Sequence, residues 1–166
     1  MTRPSRPLAA AFEALRAFAM RGRGGGAWRQ VGALVWRRGE TLEVLLVTSR
    51  ESHRWIIPKG WPMRGRAPHE AAAQEALEEA GVTGRIEPRA LGTYEYRKRL
   101  KDGSIRRCVV TVYPLEAQEE RSRWRERGQR KRRWFPAEEA ASRVREPEMA
   151  AIIRDFAARL TERGAS

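Results

Sequence analysis

The sequence predicts a mixed α/β domain in which a β-sheet lies between helices. Short apolar runs rich in β-branched residues are separated by turn residues, a pattern typical of strands. A segment of small residues at 68–80 and an apolar segment with a helical period at 147–163 predict two helices. Because strands precede and follow the first helix, we expect a layered arrangement of sheet and helices.

Three strands are predicted before the first helix. Residues 28–36 carry small and apolar side chains at alternate positions, and residues 42–48 form the apolar, β-branched run of a buried strand. Residues 55–57 form a short apolar strand that Pro58 ends. The chain then enters a loop that contains glycines.

The first helix is predicted to begin near Pro68 and to end at Gly81, since proline suits a first turn and glycine the position after the last. The elements predicted after it are a strand at 85–96 that Pro88 and Gly92 break, a hairpin turn at 101–104, a return strand at 107–115, a last strand at 134–135, a helical turn at 136–142 and a helix at 147–163.

Length and composition indicate one domain with an N-terminal extension. The chain has 166 residues and one cysteine, Cys108, which excludes an internal disulfide framework. Residues 1–26 predict a basic extension made of a short helix and a glycine-rich linker, and residues 27–163 the domain. No apolar run is long enough for a membrane span or a secretory signal, so a cytoplasmic location is expected.

Positive charge is concentrated in segments of the chain. The formal net charge is +13. Residues 97–107 hold six basic residues and one acidic residue, and residues 121–133 hold eight basic residues and one acidic residue. Segments of this kind attract polyanions such as polyphosphates or nucleic acid.

The first helix carries a set of carboxylates behind the glycine loop. Glu75, Glu78 and Glu79 have helical spacing, which places them together on one face, and the opposite face is small and apolar. Close carboxylates repel each other unless a cation holds them, and Mg²⁺ takes such oxygen ligands together with substrate phosphates. The alternative is a solvated acidic face, but such a face requires no Gly60 and Gly65 ahead of it.

The segment from Gly60 to Val82 resembles the signature of the Nudix hydrolase family. Glu75, Glu78 and Glu79 occupy the family's metal-binding positions, and Gly81 closes the motif. Two positions depart from it: Arg66 replaces a glutamate and Gln74 replaces an arginine. Gln74 can still donate an amide hydrogen bond to a neighbouring carboxylate. The segments at 50–82 and 129–135 are similar to the diphosphoinositol and diadenosine polyphosphate branch of the family.

This resemblance implies the Nudix fold and a metal-dependent pyrophosphohydrolase that cleaves a diphosphate linkage. It implies Mg²⁺, with Mn²⁺ as an alternative, bound by Glu75, Glu79, Glu78 and the backbone of Lys59 or Gly60. Glu78 and Glu79 are the implied catalytic residues. The base stays open, because some members use a glutamate from a later loop. The candidates from sequence are Glu116, Glu119, Glu120, His53 and His69.

A highly phosphorylated substrate, either a diphosphoinositol polyphosphate or a dinucleoside polyphosphate, fits the basic segments. The predicted substrate-binding residues are Lys59, Arg66, Lys98, Arg99, Arg130 and Arg132. Trp61 is expected either to stack on a base or to pack in the protein. Two alternatives remain: a catalytically weak module that binds polyphosphate, favoured by Arg66 and Gln74, and an RNA-binding protein, favoured by the net charge.

Overall fold

A computed structural model of the chain describes residues 26–165. The predicted extension at 1–26 lies outside the described residues except for Gly26. The elements are β1 (Trp28–Arg38), β2 (Leu42–Thr48), β3 (Trp55–Ile56), β4 (Lys59–Gly60), α1 (Pro68–Glu75) with a π-helical turn (Ala76–Ala80), β5 (Val82–Ile86), β6 (Gly92–Arg99), β7 (Ile105–Glu120), β8 (Arg132–Pro136), α2 (Ala137–Arg143) and α3 (Pro147–Gly164).

The strands form one mixed sheet of eight strands. Its central path runs β3-β2-β1-β7-β5, while β4 pairs with β1, β6 with β7, and β8 with β2. β1 and β7 are parallel, from Trp28 opposite Cys108 to Trp36 opposite Glu116, and the other pairs are antiparallel. The predicted mixed sheet is confirmed.

Helices cover both faces of the sheet. Alternate residues of β1 enter different cores, so that Leu34 and Trp36 contact the cluster that contains α3, whereas Val31 and Ala33 contact the cluster that contains α1. This alternation follows from the two-residue period of a strand. α1 and α3 therefore lie on opposite faces of the sheet, as predicted.

Three predicted boundaries were wrong. The strand expected at 85–96 is broken around Pro88 as predicted, but its two pieces, β5 and β6, begin earlier and end later than expected, because both of them pair with β7. β7 is also longer than predicted and reaches Glu120, since its polar end is hydrogen-bonded to β5. β8 begins at Arg132 and pairs with β2. No helix within residues 26–165 is long and apolar enough to span a membrane.

Candidate active site

The carboxylate-bearing helix changes its winding at the site. α1 ends at Glu75 and continues as a π-helical turn that Gly81 terminates with a φ of 66°. Glu75 is 7% exposed and Glu79 is 6% exposed, so both carboxylates are buried. The alternative of a solvated acidic face is therefore wrong for these two residues. π-helical turns occur frequently at functional sites.

Glu75 is packed against the loop that precedes the helix. A Cβ atom on Gly60 would overlap the carboxyl group of Glu75. Glycine at this position therefore allows the carboxylate to approach the loop backbone, which β4 holds in antiparallel pairing with β1 at Val31 and Gly32.

Glu79 is held by one backbone donor and one guanidinium group. The backbone N–H of Lys59 donates to Glu79 Oε2 at 3.1 Å, and Arg130 Nη2 donates to Glu79 Oε1 at 3.1 Å. Burial raises the pKa of Glu79 to about 7, although the charges of Arg130 and Lys59 oppose the shift. The Glu79 carboxylate is therefore more basic than that of an ordinary glutamate.

Arg130, which was predicted to bind substrate at the rim of the cleft, lies in the interior. Its side chain is 7% exposed, and its Nη1 donates to the carbonyl oxygen of Thr48 at 3.1 Å. Its Nε lies 3.5 Å from Glu126 Oε2 and has no hydrogen-bond partner in the described structure. Arg130 therefore links two carboxylates, Glu79 and Glu126.

The two residues that depart from the Nudix signature contact each other. Arg66 Nη1 donates to Gln74 Oε1 at 3.1 Å, and Gln74 Nε2 donates to Glu78 Oε1 at 3.2 Å. The hydrogen bond predicted for Gln74 is therefore present. Arg125 Nη1 also lies 3.1 Å from Glu78 Oε1. Glu78 is thus held by a chain of contacts from Arg66 and by a second arginine.

The segment 121–131 covers the end of the helix. Trp124 packs on Gly81, and its Nε1 donates to the carbonyl oxygen of Glu79 at 3.2 Å. The backbone N–H of Glu126 donates to the carbonyl oxygen of Glu78 at 3.1 Å. Arg132 stacks 4.0 Å from the Trp124 ring and donates to the carbonyl oxygen of Ala80 at 2.8 Å. Arg132 thus contacts the helix end, and its contact with substrate stays a prediction.

Glu126 and Trp124 were missed as site residues by reasoning from sequence. The sequence does single out both residues, since Glu126 is the one acidic residue and Trp124 the one aromatic residue of the basic segment 121–133. The segment folds over the helix because these two side chains have buried partners there.

Lys59 and Lys98 lie against aromatic rings beside the glycine loop. Lys59 Nζ is 4.7 Å from the centre of the Tyr96 ring, and Lys98 Nζ is 5.4 Å from that of Trp61. Burial lowers the pKa of Lys59. Trp61 is 6% exposed and its ring contacts Trp28 at 5.4 Å, so packing accounts for this residue.

Arg99 lies apart from Lys98. Successive residues of β6 point to opposite faces of the sheet, and Arg99 is exposed. Lys98 and Arg99 therefore lie on opposite sides of the β6–β7 hairpin, and the binding of substrate by both residues stays a prediction.

The acids proposed from sequence as general bases are held by arginines at the edge of the sheet. Glu116 lies 2.6 Å from Arg85, Glu119 lies 3.4 Å from Arg121, and Glu120 lies 3.4 Å from Arg37. His53 is in an exposed turn with a φ of 53°, and the ring of His69 is 6.3 Å from that of Tyr113. None of these five has a contact with Glu79 among the interactions described within residues 26–165.

The donor set suits a hard divalent cation that completes its coordination with other ligands. No group of three His, Cys, Asp or Glu side chains gathers for a metal ion within residues 26–165. Two buried carboxylates, Glu75 and Glu79, nevertheless lie next to the backbone of Lys59 and Gly60. Mg²⁺ is usually bound through one or two carboxylates together with water and substrate phosphates.

Residues 28–160 match the family profile described as NUDIX domain. The chain belongs to the Nudix hydrolase family. Its fold agrees, since the Ap4A hydrolase of C. elegans in a binary complex superposes with a TM-score of 0.60 at 24% identity, covering 81% of this chain and 98% of that one. A NUDIX hydrolase from Nitrosomonas europaea gives a TM-score of 0.61 at 19% identity, covering 78% of this chain and 88% of that one.

Curated relatives of this Nudix chain include plant and animal proteins. Nudix hydrolase 12, mitochondrial, of Arabidopsis thaliana is 36% identical over 118 residues, which cover 69% of this chain and 58% of the relative. Diphosphoinositol polyphosphate phosphohydrolase 3-beta of Bos taurus is 36% identical over 115 residues, covering 68% and 66%. The chain spans 58% and 64% of the length of the two Arabidopsis relatives Nudix hydrolase 12 and Nudix hydrolase 13.

Proposed function

We propose that the chain is a divalent-metal-dependent pyrophosphohydrolase that cleaves a diphosphate linkage in a highly phosphorylated substrate. The observation that carries the proposal is the burial of Glu75 and Glu79 side by side against the Lys59–Gly60 backbone. Buried carboxylates are costly unless a cation or hydrogen bonds hold them. A site for metal and phosphate would account for the burial of both carboxylates, which packing alone does not explain.

The residues that would hold Mg²⁺, or Mn²⁺, are Glu75 and Glu79, with Glu78 and the Gly60 carbonyl as further ligands. When bound, the ion would neutralise phosphate charge, lower the pKa of an attacking water and orient the leaving group. The contacts of Gln74 and Arg125 with one oxygen of Glu78 leave the other oxygen as the candidate acceptor for a proton from water.

The charges of Lys59 and Arg130 act on the buried Glu79, and both are proposed to attract the phosphates that flank the cleaved bond. Lys98 extends the positive charge from Lys59 towards Trp61 and would bind a more distant phosphate. Arg66 is exposed and bonded to Gln74, so its proposed role is to support Glu78.

The proposed substrate class is a diphosphoinositol polyphosphate, with a dinucleoside polyphosphate as the second candidate. The first is supported by the 36% identity to diphosphoinositol polyphosphate phosphohydrolase 3-beta and by the cations of the site. The cytoplasmic location expected from the sequence stays a prediction.

The test is a panel of diphosphoinositol and dinucleoside polyphosphates, assayed with and without Mg²⁺ or Mn²⁺. We expect metal-dependent release of phosphate that falls at least a hundredfold in Glu79→Gln, because the substitution removes a charged metal ligand. Glu87→Gln, an exposed acid outside the site, is the matched control and retains activity. Turnover that survives Glu79→Gln, or that needs no metal, contradicts the proposal.

A non-catalytic polyphosphate sensor is the second candidate, and one observation favours it. Arg130 already occupies an oxygen of Glu79, and residues 26–165 present no ready cluster of three acidic ligands. This candidate predicts tight binding of the same polyphosphates, measured by isothermal titration calorimetry, with no product formed at any metal concentration.

A further inference from the structure

The outer half of the β6–β7 hairpin pairs like charges across its register. Arg97 lies opposite Arg107, and Lys98 lies opposite Arg106. Like charges directly opposite each other destabilise an antiparallel pair. The hairpin therefore carries an electrostatic cost in the isolated chain, which an anionic partner would offset.

The hairpin presents two separate basic faces, because successive residues alternate between the sides of a sheet. Lys98 and Arg106 share their side with Tyr96, which contacts Lys59. The opposite side continues onto β1, where Arg29, the register partner of Val109, lies on the face of the sheet that α1 covers further along the strand. We call this surface the arginine face, and it consists of Arg29, Arg97, Arg99, Arg107 and Ile105.

The arginine face is exposed and poorly neutralised. All four of its arginines are exposed. Arg107 lies 3.0 Å from Glu95, whereas no carboxylate of residues 26–165 forms an ion pair with Arg29, Arg97 or Arg99. Ile105 is 49% exposed and is the large apolar side chain exposed in this part of the chain. The proposed hydrolytic function uses none of the contacts on this side of the hairpin.

We propose that the arginine face docks the phosphate backbone of a nucleic acid through side chains that the proposed hydrolytic function does not use. Neighbouring arginines lie about 6.6 Å apart along β6 and about 5 Å apart across the two strands. The arginines together span a distance greater than the width of one phosphate group. This spacing fits a polymer that carries a negative charge at regular intervals. Guanidinium groups suit phosphate oxygens because they donate forked hydrogen bonds.

A lipid surface fits this face less well than a nucleic acid does. Binding to a membrane interface depends on a substantial apolar surface besides cationic charge. Ile105 is the one large hydrophobic residue that is exposed among residues 26–165. Backbone contacts carry no sequence information by themselves, so binding is expected to be independent of base sequence.

The experiment measures fluorescence anisotropy with a labelled single-stranded RNA of roughly 12 nucleotides, within the range of known single-strand site sizes. The full chain is compared with R29Q/R97Q and with K98Q/R106Q, which removes the same charge from the other side of the hairpin. R29Q/R97Q is expected to bind at least about tenfold more weakly near 0.1 M salt, and its slope of log affinity against log salt becomes shallower by about 1.4. K98Q/R106Q is expected to keep its affinity.

Three outcomes overturn the proposal. They are equal losses in the two variants, no loss in R29Q/R97Q, and a preference of the full chain for phosphatidylserine vesicles that disappears in R29Q/R97Q. Circular dichroism establishes that both variants fold. Removing Arg97 relieves its opposition to Arg107, so the thermal midpoint of R29Q/R97Q is expected to equal or exceed that of the full chain.

Discussion

At the scale of residues, the candidate site depends on close approaches that side-chain size controls. Glu75 reaches the loop because residue 60 has no side chain, and Glu79 is bound by the backbone of residue 59. Arg130 then provides the buried positive charge. The sequence correctly suggested a connection between Gln74 and a carboxylate. It did not show that Arg66 is the partner on the other side of Gln74, since this contact joins a loop to a helix.

Gly60→Ala tests the approach of Glu75 to the loop. The added methyl group would overlap the Glu75 carboxyl group and displace it, with an expected loss of about 1–3 kcal/mol in the free energy of unfolding. Urea denaturation measures this loss, and the polyphosphate assay should show at least a tenfold lower kcat. Gly128→Ala is the control, because a Cβ there meets no atom within 4 Å. Equal effects of the two substitutions would contradict the role of Gly60.

At the scale of elements, the π-helical turn and the segment 121–131 form one structural unit. Gly81 ends the turn in the left-handed region of φ, and Trp124 covers that glycine so closely that a side chain there would overlap its ring. Arg132 and Glu126 complete the cover with bonds to carbonyl oxygens of the turn. The glycine was predictable from the motif, whereas the cover was not, because it comes from a segment about 40 residues further along the chain.

Trp124→Leu is expected to loosen the π-helical turn. The substitution removes the hydrogen bond to the Glu79 carbonyl and most of the cover on Gly81. Hydrogen exchange of the amides at 76–81 should become about tenfold faster, given the usual worth of a lost hydrogen bond. Arg123→Ala, an exposed position in the same segment, serves as the control. Unchanged protection of the turn in Trp124→Leu would show that the segment does not stabilise it.

At the scale of the whole molecule, one sheet separates the two helical layers and also distributes the positive charge. The β6–β7 hairpin extends beyond the helix-covered cores and carries cations on both sides. The segment 121–131 brings further arginines to the end of α1. The net charge is +13, and exposed ion pairs contribute little to stability. We therefore expect the repulsion between like charges in the folded chain to exceed the attraction within its exposed ion pairs.

Raising the ionic strength is therefore expected to raise the thermal midpoint of the full chain. Going from about 0.01 M to about 0.15 M NaCl shortens the Debye length from about 30 Å to about 8 Å and screens the repulsion between the basic segments. Differential scanning calorimetry measures the shift. A non-ionic solute of matched osmolarity controls for solvent effects, and a midpoint that falls with salt would mean that the attractive ion pairs dominate.

Most of the fold and the identity of the carboxylates were predictable from sequence because they depend on local patterns. Strand alternation, helical spacing, Pro68, Gly81 and the motif beginning at Gly60 are properties of neighbouring residues. The break within 85–96 was predictable from Pro88 and Gly92, but the outer ends of β5 and β6 were not, since long-range pairing with β7 fixes them. The separation of Lys98 from Arg99, two of the predicted substrate-binding residues, was likewise not predicted, because it depends on the strand register.

The family resemblance, the layered α/β fold and the positions of Glu75, Glu78 and Glu79 follow from the amino-acid sequence, because motif spacing and periodicity are local properties of the chain. The burial of Glu75 and Glu79, the interior pairing of Arg130 with Glu79, and the place of Glu126 and Trp124 in the site emerge only in the folded chain. They do so because burial and charge pairing depend on segments that meet only after the sheet has formed. A residue's charge can be read in the sequence, but its partners are set by the fold.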